Sequence, residues 1–201
     1  MQSIYDLNMK MATDMLAEKG QKSYRAKQLF QWLYRKRVGS FQEMTDMPAS
    51  LLEELAQEYS IEPVKEITRQ VARDGTTKYL FQLADGSSVE TVLMHFHFGE
   101  SLCVTSQLGC NMGCTFCASG LLKKQRDLTA GEIVGQVMFV QKELDKIGKR
   151  VDNVVIMGTG EPFDNYDNVM RFCEIINSDL GLAIGARHIT ISTCGIVPRI
   201  K

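Results

Sequence analysis

Apolar positions in the first sixty residues recur at three- and four-residue spacing. Ala26, Leu29, Phe30 and Leu33 fall on one helical face. The pattern predicts helices over 3–19, stopped by Gly20, over 23–36, ending near Gly39, and over 48–59. From Val64 the period shortens to two. Segments 66–72, 78–83 and 88–94 read as strands, separated by Asp74-Gly75 and Asp85-Gly86, dipeptides that favour tight hairpin turns. After Gly99 the two patterns alternate, with strands at 102–106, 151–157 and 188–192 and helices at 129–146 and 168–176. Thr129 is the expected N-cap of the first of these helices, and Glu132 completes a capping box. Strands separated by helices imply crossover connections and a parallel sheet or barrel. The chain thus divides into a small helical domain at 1–62, a linking antiparallel β meander at 63–98 and an α/β unit at 99–201. Three βα units are too few to close a barrel, so the chain is expected to be the N-terminal portion of a longer one.

Composition narrows the function classes. The 201 residues are 44% hydrophobic and 23% charged, the balance of an ordinary globular protein. A net charge of −1 argues against a bulk electrostatic grip on nucleic acid. A local patch does exist: Lys22, Arg25, Lys27, Arg35, Lys36 and Arg37 gather on the second helix, and by themselves read as a solvated helix face. No apolar run approaches membrane-span length, and the opening Met-Gln-Ser-Ile-Tyr-Asp has no basic region followed by an apolar run. A reducing, cytoplasmic compartment is expected, with thiols free or metal-bound.

The most informative local feature is Gly109-Cys110-Asn111-Met112-Gly113-Cys114-Thr115-Phe116-Cys117. Its C-x3-C-x2-C spacing supplies three thiolates in a tight loop, enough for three irons of a 4Fe–4S cube with the fourth left open. Zinc, the alternative, would need a distant fourth ligand. An open iron can chelate a small molecule, and reductive cleavage of S-adenosylmethionine is the chemistry of that arrangement. Gly109 and Gly113 are expected to permit the turns, and Phe116 to shield a cluster. Cys103, Cys173 and Cys194 read as small packed hydrophobes.

Met157-Gly158-Thr159-Gly160-Glu161-Pro162 directly follows the second α/β strand. Ligands of parallel α/β folds gather at strand C-termini, where these glycines admit close backbone approach and the carboxylate can meet a substrate ammonium. Ser192-Thr193 ends the third strand at the same rim. Glu90, between Val89 and Thr91, is by default an exposed strand glutamate, and His95 and His97 mark a half-exposed strand end.

Together these residues resemble the bacterial radical S-adenosylmethionine enzymes that methylate C2 of an adenine in 23S ribosomal RNA, and often in transfer RNA. The resemblance runs from Tyr24-Arg25-Ala26-Lys27-Gln28 and Trp32-Leu33-Tyr34 through Asp74-Gly75-Thr76-Thr77-Lys78-Tyr79 and Val89-Glu90-Thr91-Val92. It continues through the cysteine loop, Gly158-Thr159-Gly160-Glu161-Pro162 and Ile191-Ser192-Thr193. It implies an α/β fold, the first three βα units of a partial radical-SAM barrel, preceded by the helical domain and the meander. It also implies that Cys110, Cys114 and Cys117 hold a 4Fe–4S cluster, that Gly160, Glu161 and Ser192 contact S-adenosylmethionine, and that Glu90 accepts a proton. The helical domain resembles the family's RNA-binding domain, which gives the basic patch an RNA role. In the family's scheme one S-adenosylmethionine methylates a protein cysteine, and a second is cleaved to a radical that activates that methyl group. The methyl-carrying cysteine lies beyond Lys201, so the chain alone is expected to be inactive. An electron donor such as flavodoxin or ferredoxin, a monomeric state and no membrane partner complete the implied picture. The alternatives are the related C8-adenine enzyme, from which Gly160-Glu161-Pro162 departs, and a non-catalytic iron–sulfur or RNA-binding module.

Overall fold

The computed structural model describes residues 1–200. Its first three helices are α1 (Met9–Glu18), α2 (Tyr24–Phe30), which continues into a π-helical turn at Gln31–Lys36, and α3 (Ala49–Glu58). The first begins later than its apolar spacing suggests. Asn8 caps it by accepting from the Met11 N–H at 2.9 Å, while Ile4 and Tyr5 turn inward in a 3-10 turn and are buried. The π-helical turn ends on Arg37 rather than on Gly39, with Arg37 at φ 53°, a left-handed conformation uncommon outside glycine.

Six strands form one sheet. In chain order they are β1 (Val64–Val71), β2 (Thr77–Leu83), β3 (Ser88–Phe96), β4 (Gly99–Cys103), β5 (Val151–Ile156) and β6 (Ile189–Ile191). Their spatial order is 6-5-4-3-2-1. The pairs β1–β2, β2–β3 and β3–β4 are antiparallel, and β4–β5 and β5–β6 are parallel. The meander therefore continues the parallel strands edge to edge. Both expected turns form, with Gly75 and Gly86 at φ 87° and 86°. In each, the preceding aspartate accepts from a backbone N–H two residues on, Thr76 and Ser87 respectively, the local bond that makes aspartate a turn former. His95 and His97 are exposed at the end of β3, with the His95 ring bonded to buried Glu100.

Two further helices, α4 (Ala130–Asp145) and α5 (Tyr166–Asn177), connect the parallel strands and pack on each other. Thr129 and Glu132 form the expected capping box on α4. Val89, Thr91, Leu93, Leu102 and Val154 are buried on the helix-covered face of the sheet. The opposite face carries Glu90, Val92, Cys103 and Val155, which are exposed or half-buried.

The helical domain docks on α4. The buried Asp6 carboxylate accepts from the Gly131 N–H at 2.6 Å, so an acidic group sits on the positive end of the helix. A side chain at Gly131 would approach Ser3 Cβ to 2.7 Å and the Asp6 nitrogen to 2.8 Å. Arg37 pairs with Asp145 at 3.2 Å, and Asn8 donates to Glu174 on α5 at 2.9 Å.

Gln136, fully buried on α4, ties this frame together. Its amide oxygen accepts from the Thr91 hydroxyl (2.8 Å) and the Thr105 N–H (2.9 Å), and its amide nitrogen donates to the Thr105 carbonyl (3.0 Å). Gln136→Leu strands the backbone of Thr105 away from water. It should lower unfolding stability by about 2–3 kcal/mol in a denaturant titration, because each buried unmade bond costs roughly 1–3 kcal/mol.

Candidate functional site

Three loops meet where β4, β5 and β6 end. The Gly158 N–H donates to the Val104 carbonyl at 3.0 Å, and the N–H groups of Ser106 and Gln107 both donate to the Thr159 carbonyl at 3.1 Å. The Ser192 N–H reaches the Ile156 carbonyl at 3.4 Å. Two glycines make this proximity possible. A Cβ at Gly158 would come within 2.6 Å of the Thr105 hydroxyl oxygen and 2.7 Å of the Val104 carbonyl oxygen. One at Gly160, which has φ 114°, would meet Gln107 Cβ at 2.6 Å.

The cysteine loop rises from a short antiparallel stem in which Gln107–Leu108 pairs with Arg126–Asp127. The Cys110 N–H donates to the Leu122 carbonyl at 2.8 Å, and the Gln125 N–H to the Leu108 carbonyl at 2.7 Å. Gly109, at φ 75°, has the Lys123 carbonyl oxygen 2.2 Å from where its Cβ would lie. Gly113 has open space at that position, so the steric demand for glycine falls on Gly109 rather than on both. Cys110 is buried, Cys114 half-buried and Cys117 exposed, and all three are free. The Ser119 hydroxyl and N–H hold the Cys117 thiol below its ordinary range.

The three thiols line one cleft of about 240 Å³ with Gly158, Gly160, Glu161, Ser192, Thr193 and Cys194. Phe116 stands at its mouth, 91% exposed. Among the described residues no three metal-ligating side chains are already converged for an ion. The donor set nevertheless suits a thiolate-ligated cluster in number and type. Ligands that gather only on binding are the usual case where metal capture and ordering are coupled. A larger cavity of about 300 Å³ lies elsewhere, between Tyr5, Pro63 and Met138. It has no thiols, so the cysteine cleft is the stronger candidate.

Glu161 is 4% exposed, yet its carboxylate is ionised by design of its surroundings. Burial would raise its pKa. The N–H of Cys194 (2.7 Å), the Thr193 hydroxyl (2.6 Å) and the N–H of Phe163 (3.0 Å) outweigh burial, and the group lies below its usual range. The Cys194 thiol bonds the same carboxylate, so protein donors surround a buried negative charge at the cleft wall. Glu90 does not line the cleft. It is exposed on the less covered face of the sheet, where its carboxylate pairs with Lys78 at 3.0 Å. Its backbone carbonyl accepts from the Thr105 hydroxyl at 2.7 Å, which places it one strand away from Gly158. Cys103 shares that face, paired in register with Val92.

Two parts of the site escape sequence reasoning. Cys194 enters the cleft, its thiol pushed up to about 11 by desolvation and by the neighbouring Glu161 carboxylate; its place directly after Ser192-Thr193 was the available signal. Beneath the cleft, Gln107, Lys124, Asp127 and Asp164 form a polar cluster. Each is an unremarked loop residue until the fold joins them.

Because the Glu161 pKa is lowered on folding, its stabilisation is fully present above the ordinary carboxylate range and is lost as pH falls through the folded value. Glu161→Gln turns an amide N–H toward donors that need acceptors. It should cost about 1–3 kcal/mol at neutral pH, with the difference from the parent shrinking in titrations repeated below about pH 4. A gap that stays constant with pH would show that the carboxylate charge is not what holds these loops.

Comparison with known proteins adds the family. Residues 2–61 match the ribosomal RNA large subunit methyltransferase N-terminal domain, and residues 104–201 match the radical SAM superfamily. A probable dual-specificity RNA methyltransferase RlmN from Streptococcus suis is 57% identical over 201 residues, covering 99% of this chain and 54% of that protein. The protein of the same name from Enterococcus faecalis is 57% identical over 202 residues, covering 100% of this chain and 57% of its own length. The crystal structure of a radical SAM methyltransferase from Sphaerobacter thermophilus superposes with a TM-score of 0.93 at 40% identity, over 100% of this chain and 59% of that one. The chain spans about half the length of the curated relatives it matches.

Proposed function

Because residues 104–201 match the radical SAM superfamily and residues 2–61 match the N-terminal domain of the ribosomal RNA large subunit methyltransferases, we propose that the chain serves the methylation of C2 of an adenine in 23S ribosomal RNA and in transfer RNA. The observation that carries the reading is the cleft in which three thiols, a glycine turn, an ionised glutamate and a hydroxyl-bearing strand end face one another.

Cys110, Cys114 and Cys117 would hold a 4Fe–4S cluster. With an electron donor such as flavodoxin or ferredoxin, that cluster would supply one-electron cleavage of S-adenosylmethionine. The surrounding residues do the rest by placement. Gly158 and Gly160 bring backbone polar groups to the cleft wall. Glu161 offers its buried negative charge to the ligand's ammonium, and Ser192 offers a hydroxyl from the end of β6. Glu90 is assigned the proton-accepting role. Lying outside the cysteine cleft and on the same face as Cys103, it would serve the substrate side rather than the cofactor side.

RNA contact is assigned to the helical domain, and its geometry sorts the basic residues. Arg35 donates to the Asp179 carbonyl at the surface, Arg37 pairs with the Asp145 carboxylate, and Arg25 donates to Gln28 and to the Asp46 carbonyl. Lys22, Lys27 and Lys36 are exposed and have no ion-pair partner among the described residues, with the Lys36 ammonium over the Trp32 ring. These three are the phosphate-facing candidates.

Anaerobic reconstitution should give the broad visible absorbance of a 4Fe–4S cluster and bind S-adenosylmethionine. Cys114→Ala should abolish both, since a cube already one ligand short does not survive the loss of another; undiminished iron and sulfide in that variant would sink the assignment. Replacing Lys22, Lys27 and Lys36 by Glu should weaken RNA binding about tenfold at low salt and flatten its salt dependence, as expected when phosphate contacts are removed. Unchanged affinity in a filter-binding titration would make the patch an ordinary solvated surface.

A further inference from the structure

We propose that Gln107 is the positioning residue of this site: its side-chain amide bolts the Gly160-Glu161 turn to the stem of the cysteine loop, and so sets where Glu161 stands relative to a ligand held at the three thiolates. The inference rests on the reading of the cleft as an S-adenosylmethionine site.

Gln107 is fully buried. Its amide oxygen accepts from the Glu161 N–H at 2.8 Å, while its amide nitrogen donates to Asp127 Oδ1 at 2.7 Å and to Asp164 Oδ2 at 3.0 Å. An amide has two N–H donors and a carbonyl oxygen, and here each is engaged. The partners come from different segments. Asp127 closes the stem of the cysteine loop, Glu161 belongs to the turn after β5, and Asp164 lies just beyond it. Lys124 neutralises the two aspartates at 2.8 and 2.7 Å. No other side chain of this size fits both ends. Leucine would orphan the Glu161 N–H, glutamate would set a third carboxylate against two, and asparagine is one methylene short.

The backbone bonds from Ser106 and Gln107 to the Thr159 carbonyl already hold the two loops side by side. What the side chain adds is the orientation of residue 161, whose carboxylate then reaches Thr193 and Cys194 across the cleft. Removing the amide should therefore leave the thiols in place and loosen the turn.

The test compares the parent chain with Gln107→Leu, Gln107→Glu and the pair Gln107→Glu with Asp164→Asn, which restores one donor and removes one charge. Three quantities are read: iron content after reconstitution, S-adenosylmethionine affinity by equilibrium dialysis, and amide hydrogen exchange of segment 158–163 in the cofactor-free chain. Iron content should match across all four. The dissociation constant should rise about tenfold in both single variants, the scale of one lost buried hydrogen bond, and return to within about threefold of the parent in the pair. Exchange in 158–163 should speed up in the single variants while β5 stays protected. A purely structural role would lower iron loading and thermal stability together, leaving affinity per loaded chain and exchange in 158–163 at parent values; that result overturns the proposal. A parent chain that takes up iron yet binds no S-adenosylmethionine overturns the cleft reading itself and the proposal with it, and is recognised because the failure lies in the parent.

Discussion

The site depends on how closely the chain leaving β4 passes the chain leaving β5. Two parallel strands end side by side, and each must turn away without leaving its last polar groups unpaired. Here the turns satisfy each other, through Gly158 to Val104 and through Ser106 and Gln107 to Thr159. This contact is possible only where the outer chain has no Cβ, at Gly158 and Gly160. The cysteine loop, the glutamate turn and the end of β6 are arranged around that one approach, which holds the loops side by side and leaves their finer orientation to side chains such as Gln107.

A second balance is electrostatic. A nearly buried carboxylate is ordinarily costly. Glu161 offsets the cost with three donors drawn from its own turn and from the strand end two segments away. The same bonds that keep it charged also close the cleft wall. Thiols, by contrast, vary in exposure from buried Cys110 to exposed Cys117, a gradient that leaves the outer thiol accessible while the inner one is anchored by the stem.

Much of this was legible in the chain. Hairpins at Asp74-Gly75 and Asp85-Gly86, the Thr129–Glu132 cap and the placement of both motifs at strand ends follow from local chemistry, which the sequence carries residue by residue. Helix α1 was misjudged because the inward turn of Ile4 and Tyr5 reflects packing against α4, a contact more than a hundred residues distant. The role of Arg37 was misread for the same reason: a basic residue looks solvated until the fold supplies an acceptor such as Asp145. Among the site residues, the cysteines and Gly160-Glu161 announce themselves by spacing. Gln107 has no local signature, since its meaning lies in three partners from two segments, the stem strand and the turn after β5.

The Asp6–Gly131 junction has a mechanical side. With no room for a side chain at Gly131 and an acid seated on the first turn of α4, the helical domain has no slack against the helix. That helix in turn grips Thr105 through Gln136, beside Gly158. The exposed Lys22, Lys27 and Lys36 and the cysteine cleft are thereby carried on one connected frame rather than on two loosely joined units.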